Sequence, residues 1–138
     1  GAEVLDPATA AELGDVGEIA AYDRLPYGLA AYHFFRAIYA RLAKNDAHRA
    51  ALGFHAAARI ALAGGKVAPA KFVEALSLVW IARQQEGLAW AATGNNARAL
   101  LVFDEILAAH AAGNGLPVRP DDELARAVAQ NRADVAPA

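Results

Sequence analysis

The side chains able to carry metal or nucleophilic chemistry are few: four histidines, Ser77, Thr9, Thr93 and no cysteine. His48 and His55 fall on one helical face with Leu52 and Arg59. Two turns of helix set their Cα atoms about 10.5 Å apart, too far to chelate one ion unaided. The cationic Arg59 on the same stripe opposes a metal as well. His33 shares a face with Arg36, Ala37 and Lys44 and is expected in solvent. His110 ends the stripe of Phe103 and Leu107 near a helix C-terminus, where a cation is favoured. No metal site is expected. Asp104 and Glu105 are adjacent, so on a helix they diverge and read as surface acids. Ser77 has no His or Lys three or four residues away, which argues against a serine nucleophile. The absence of cysteine excludes disulfides, Cys-ligated zinc, thiolate catalysis and covalently held haem. No catalytic set and no cofactor emerge, so the balance leans against an enzyme.

The elements that would position these groups are helices. Ala supplies 38 of 138 residues and is the best intrinsic helix former. No segment alternates apolar and polar residues in the manner of a half-buried strand. Asp6-Pro7 caps a short helix that Gly14 ends, and Leu25-Pro26 breaks the chain. A helix is expected from Pro26 to about Lys44. Asn45-Asp46 makes a corner, with Asp46 capping a helix to about Ala63, where Gly64-Gly65 is expected to stop it. Pro69 opens a long helix carrying Phe72, Leu76, Val79 and Trp80, ending near Thr93-Gly94. Asn95 or Asn96 caps the next, with Leu100, Phe103 and Leu107 on one stripe. Pro120 opens the last, whose acids Asp121, Asp122 and Glu123 suit the macrodipole. The expected fold is one all-α domain over residues 1–138, an antiparallel helical bundle or short helical-hairpin array of five to six helices. Residues 1–25 form an acidic arm, and residues 133–138 a frayed tail. No apolar run approaches the about 18 residues of a membrane span. Gly1 in a chain without Met reads as a tag remnant or a processed end, which leaves a removed signal peptide open. A cytoplasmic setting is favoured.

One stretch is patterned beyond simple amphipathicity. Gly87, Trp90, Gly94, Ala99 and Phe103 have a spacing that resembles one tetratricopeptide-like helical hairpin, over about residues 83–112. Leu52-Gly53 precedes Glu86-Gly87 by about the 34-residue period of that family. The resemblance implies close helix contact at Gly87 and Ala99, filling by Trp90 and Phe103, and a turn at Gly94. The second copy departs from the pattern, because Ala56 stands where Trp90 would call for an aromatic. Gly94-Asn95 followed by Arg98 also resembles the helix after the active loop of Fic-type nucleotide transferases. Those enzymes use a histidine a few residues earlier, and Ala89 to Thr93 holds none.

Two further features stand out. Tyr22, Tyr27, Tyr32, Phe34, Phe35 and Tyr39 are six of the eleven aromatics. A helix apolar on most sides is either central in a bundle or paired with another subunit. An apolar ligand pocket beside this cluster is the third reading. Charge is the second feature. Residues 1–23 carry six acids and no Lys or Arg, whereas residues 24–71 carry eight cations against Asp46. The acidic segment Glu3 to Asp23 is expected to fold over the basic helices and mask them.

Together these traits favour a non-enzymatic helical protein-interaction or regulatory module that associates with a protein partner or with itself. The candidate partner-binding residues are Arg36, Arg41, Lys44, Arg49, Arg59, Tyr32, Phe35 and Tyr39. The alternatives are a basic helical hairpin that binds nucleic acid, and a small enzyme or apolar-ligand binder near the aromatic cluster at 22–39. A net charge of −2 marks no global attraction to nucleic acid or membrane.

Overall fold

The computed structural model describes residues 26–67, 76–113 and 118–137. They form five helices: α1 (Pro26–Leu42), α2 (Ala47–Val67), α3 (Val79–Ala92), α4 (Asn96–Ala112) and α5 (Asp122–Val135). There is no strand among the described residues. Each helix packs on the next in the chain, and α5 also returns to α3. The fold is thus an all-α bundle built by successive hairpins. None of the described helices is long and apolar enough to cross a membrane.

The corners follow from local chemistry. Asn45 sits at φ 51°, in the left-handed region that Asn tolerates better than most residues. The Asp46 carboxylate then accepts from the Arg49 amide at 3.0 Å, which caps α2. Between α3 and α4, Gly94 turns the chain at φ 86°, and the Asn95 side chain accepts from the Arg98 amide at 3.1 Å. Asp121 accepts from the Leu124 amide at 2.7 Å and caps α5, leaving Asp122 and Glu123 in its first turn.

Several boundaries differ from expectation, the start of α5 among them: Pro120 does not open it, and Asp121 stands before it as the cap. Gly64-Gly65 does not stop α2, which continues to Val67. A helical Gly costs only about 1 kcal/mol relative to Ala, less than the anchoring of a well-buried helix. Phe54, Ile60 and Ala61 on α2 supply that anchoring. The start of the helix expected from Pro69 lies outside the described residues. Where description resumes, Ser77 and Leu78 form a turn and regular α3 starts at Val79. At the other end α5 extends to Val135, into the stretch expected as a tail. The acidic arm and its docking over the basic helices lie outside the described residues.

Alanine and glycine let the helices approach closely. A Cβ on Gly53 of α2 would lie 2.9 Å from the Cβ of Ala37 on α1. A Cβ on Gly87 of α3 would collide with the Phe103 ring of α4. Ala99, one turn before Phe103 on α4, is buried as well. Large side chains fill the rest of the core, chiefly Phe54, Ile60, Trp90, Phe103 and Ile106. On α4 the buried set is Ala99, Val102, Phe103 and Ile106, whereas Leu100 and Leu107 are only half-buried. The expected stripe is rotated because α4 lies between α3 and α5 and is covered from both sides.

The aromatic helix α1 resolves into two faces. Its inner face is small: Ala30, Ala37 and Ala40 are buried with His33. Phe34 packs edge-on against Phe54, with ring centroids 5.5 Å apart. Phe35, Tyr39 and Leu42 point outward.

Candidate functional site

The densest polar cluster is carried by α3 and centred on Glu86, which is only 1% exposed. Helical spacing places Arg83 one turn before it and Trp90 one turn after it. The Arg83 guanidinium lies 2.5 Å from one carboxylate oxygen of Glu86. The Trp90 indole N–H donates to the other oxygen at 3.1 Å. From α2, His55 Nδ1 lies 3.2 Å from both oxygens. An ionised carboxylate only accepts, so Nδ1 carries the proton and the Nε2 edge is directed away from Glu86. Arg83 extends outward from the cluster and pairs with Glu105 of α4.

The electrostatics follow from these contacts. Burial alone raises the pKa of Glu86. The His55 hydrogen bond, the Arg83 charge and the Trp90 N–H together outweigh it, and the carboxyl titrates below its ordinary value. Glu86 is therefore ionised at neutral pH, held by charged and neutral donors from two helices.

Beside this cluster a cleft of about 580 Å³ opens between α2, α3 and α4. Leu62, Val79, Trp80, Leu101 and Val102 give it apolar walls, and His55, Arg59, Arg83 and Arg98 line it with polar groups. Arg98 lies over the Trp90 ring at 4.1 Å, so the indole bridges the cleft cation to the buried acid. The Trp80 indole is fixed by donating to the Val118 carbonyl at 2.9 Å.

The residues expected from sequence to bind a partner fall on α1 and at two places beyond it. Tyr32, Phe35, Arg36, Tyr39, Arg41 and Lys44 lie on or just after α1. Arg36 donates to the Tyr32 hydroxyl at 3.0 Å, and the Lys44 ammonium lies 5.8 Å from the Tyr39 ring centroid. Arg49 pairs with Asp46 at the α1–α2 corner. Arg59 belongs to the cleft, apart from the other cations.

The histidine assignments change more. His33 was expected in solvent on the face of Arg36 and Lys44, yet it is 0% exposed. α1 turns that edge toward α2, where alanines and Gly53 leave room for an imidazole. His48 packs edge-on against Trp90, with centroids 5.5 Å apart. His55 and Glu86, 31 residues apart, form the acid–imidazole pair that the sequence did not reveal. The signal available was an acid on the buried stripe of α3, between Ala82 and Trp90 at spacings of four. Asp104 is a surface acid as expected, paired with Arg132 at 2.6 Å. The cleft shares no residue with the aromatic cluster at 22–39. Among the described residues, no three His, Asp or Glu side chains group as a metal site. No known protein family, curated protein or solved structure matches the chain.

Proposed function

We propose that the chain is a non-enzymatic helical protein-interaction module that self-associates through the outer face of α1. One observation carries this reading. Phe35, Tyr39 and Leu42, at i, i+4 and i+7, are 64%, 57% and 79% exposed. Three large apolar side chains in a row on one helix form the kind of anchor set that a partner helix reads. Lys44, exposed and with its ammonium 5.8 Å from the Tyr39 ring centroid, sets a positive charge beside the strip. A matching surface is therefore apolar at its centre and acidic at its edge. The chain encodes such a segment itself: Leu13, Val16, Ile19 and Tyr22 occur among the six acids of residues 1–23. A second copy of the chain is accordingly the partner of choice.

The size of the strip sets the strength. Burying the exposed parts of three large side chains contributes about 4–6 kcal/mol. Loss of translational and rotational freedom costs at least about 4 kcal/mol. The strip alone gives weak, reversible association, and added contacts from the acidic segment would tighten it. The nucleic-acid reading has less support, because the described cations are dispersed and Arg49 and Arg83 already pair with carboxylates.

Light scattering tests the proposal over a concentration series from about 10 μM to about 1 mM, the range that weak association implies. The mass is expected to rise with concentration, and Phe35→Ser/Tyr39→Ser should hold it at the monomer without lowering thermal stability. A monomer throughout, or a variant that associates like the parent, overturns it.

A further inference from the structure

The cleft between α2, α3 and α4 has a composition unlike a structural seam, and it lies apart from the α1 strip. We infer that it binds a small organic monoanion: a carboxylate carried on an aromatic or aliphatic body.

Volume, charge and donor geometry support this. At about 580 Å³ the cleft is of small-molecule size. Its apolar walls, with the Trp80 ring held in place, suit a hydrocarbon body. Both lining carboxylates, Glu86 and Glu105, pair with Arg83, which leaves the Arg98 charge for a carboxylate to balance.

Arg98 is the group positioned to receive the carboxylate. Among the described residues its guanidinium has no hydrogen bond or ion pair, and its central carbon lies over the Trp90 ring, 4.1 Å from the centroid. A guanidinium held against an aromatic face keeps its N–H groups for a carboxylate, which it can grip with two parallel bonds. Arg83 is committed to Glu86 and Glu105, so it supplies field rather than a free fork. The Nε2 edge of His55 provides a second polar contact, because Glu86 fixes the opposite edge. The buried Glu86 thus has a positioning role. It orients His55 and, through the indole N–H, holds the ring on which Arg98 lies.

The test uses 1-naphthoate as probe, with 1-naphthalenemethanol as its uncharged match, followed by calorimetry and by NMR shifts of the full chain. Naphthoate is expected to bind at least about tenfold more tightly than the alcohol, since a charged fork distinguishes them. The shifts should centre on His55, Trp80 and Leu101. Arg98→Gln, at an exposed position, should weaken naphthoate about tenfold and leave the alcohol unchanged. Leu101→Glu, which places a carboxylate in the cleft, should abolish naphthoate binding while the protein stays folded. Phe35→Ser should alter nothing, because α1 contributes no wall. Equal affinity for the two probes overturns the inference. So does an Arg98→Gln variant that binds naphthoate like the parent, or shifts centred on α1.

Discussion

Replacing Glu86 with Gln keeps the shape of the side chain and removes its charge. Glu86 serves three donors, His55 Nδ1, Arg83 and the Trp90 N–H, in a site that is almost fully buried. The amide keeps one accepting oxygen but must turn an NH2 group toward one of those donors. One hydrogen bond to a charged group contributes about 1.5–3 kcal/mol, and breaking a buried ion pair costs about 3–5 kcal/mol. Arg83 retains Glu105 as a partner, which places the expected loss at about 2–4 kcal/mol at neutral pH. For a chain of this size that lowers Tm by roughly 10 °C. The pH dependence gives a second signature. The pKa of Glu86 in the folded protein is lowered from 4.5, so its stabilisation is present above 4.5 and is lost as pH falls through the folded value. Urea unfolding of both proteins at pH 7 and at about 3.5 should give a narrower gap at the lower pH. A gap below about 1 kcal/mol at pH 7 would mean the carboxylate is not held as described. A gap of equal size at the lower pH would refute the electrostatic origin.

Other expectations are simpler to state. Gly87→Ala should cost about 1–3 kcal/mol by urea unfolding, because the new methyl group meets the Phe103 ring. Gly94→Ala should cost about 1 kcal/mol, through its positive φ alone, since nothing lies within 4 Å of the added Cβ. Trp90→Ala should cost about 3–5 kcal/mol, as it removes a buried ring and a donor to Glu86 together. Asp121→Ala should cost about 1 kcal/mol through loss of the α5 cap, visible as a small shift of the urea midpoint.

Helix positions were legible because their signals are local. Asp46 and Asn95 are short acceptors that satisfy amides three residues on, and each caps a helix as its place in the sequence implies, whereas Asp121, expected inside the first turn after Pro120, is itself the cap of α5. Gly94 marks a turn for the same reason. Gly64-Gly65 misled because the stopping power of glycine depends on what else holds the helix, and α2 is held by its buried face. The polar cluster was not legible. His55 meets Glu86 across 31 residues, through the rotation of α2 against α3, which neighbour spacing does not encode. His33 shows the same limit: its neighbours on α1 include Arg36, but the side facing α2 decides its burial. Aromatic crowding at 32–39 was visible in sequence. How it divides between core and surface depended on α1 meeting α2 through Ala37 and Gly53 rather than through its large rings.

The central claim, self-association through α1, meets its most direct test in isotope-filtered NMR. A mixed sample of labelled and unlabelled chains at about 1 mM, a concentration at which weak association is populated, reports only contacts between copies. Intermolecular cross-peaks are expected from the side chains of Phe35, Tyr39 and Leu42 to apolar protons of a second copy, Leu13, Val16 and Ile19 among them. Absence of any intermolecular cross-peak, or cross-peaks confined to surfaces away from α1, would contradict it.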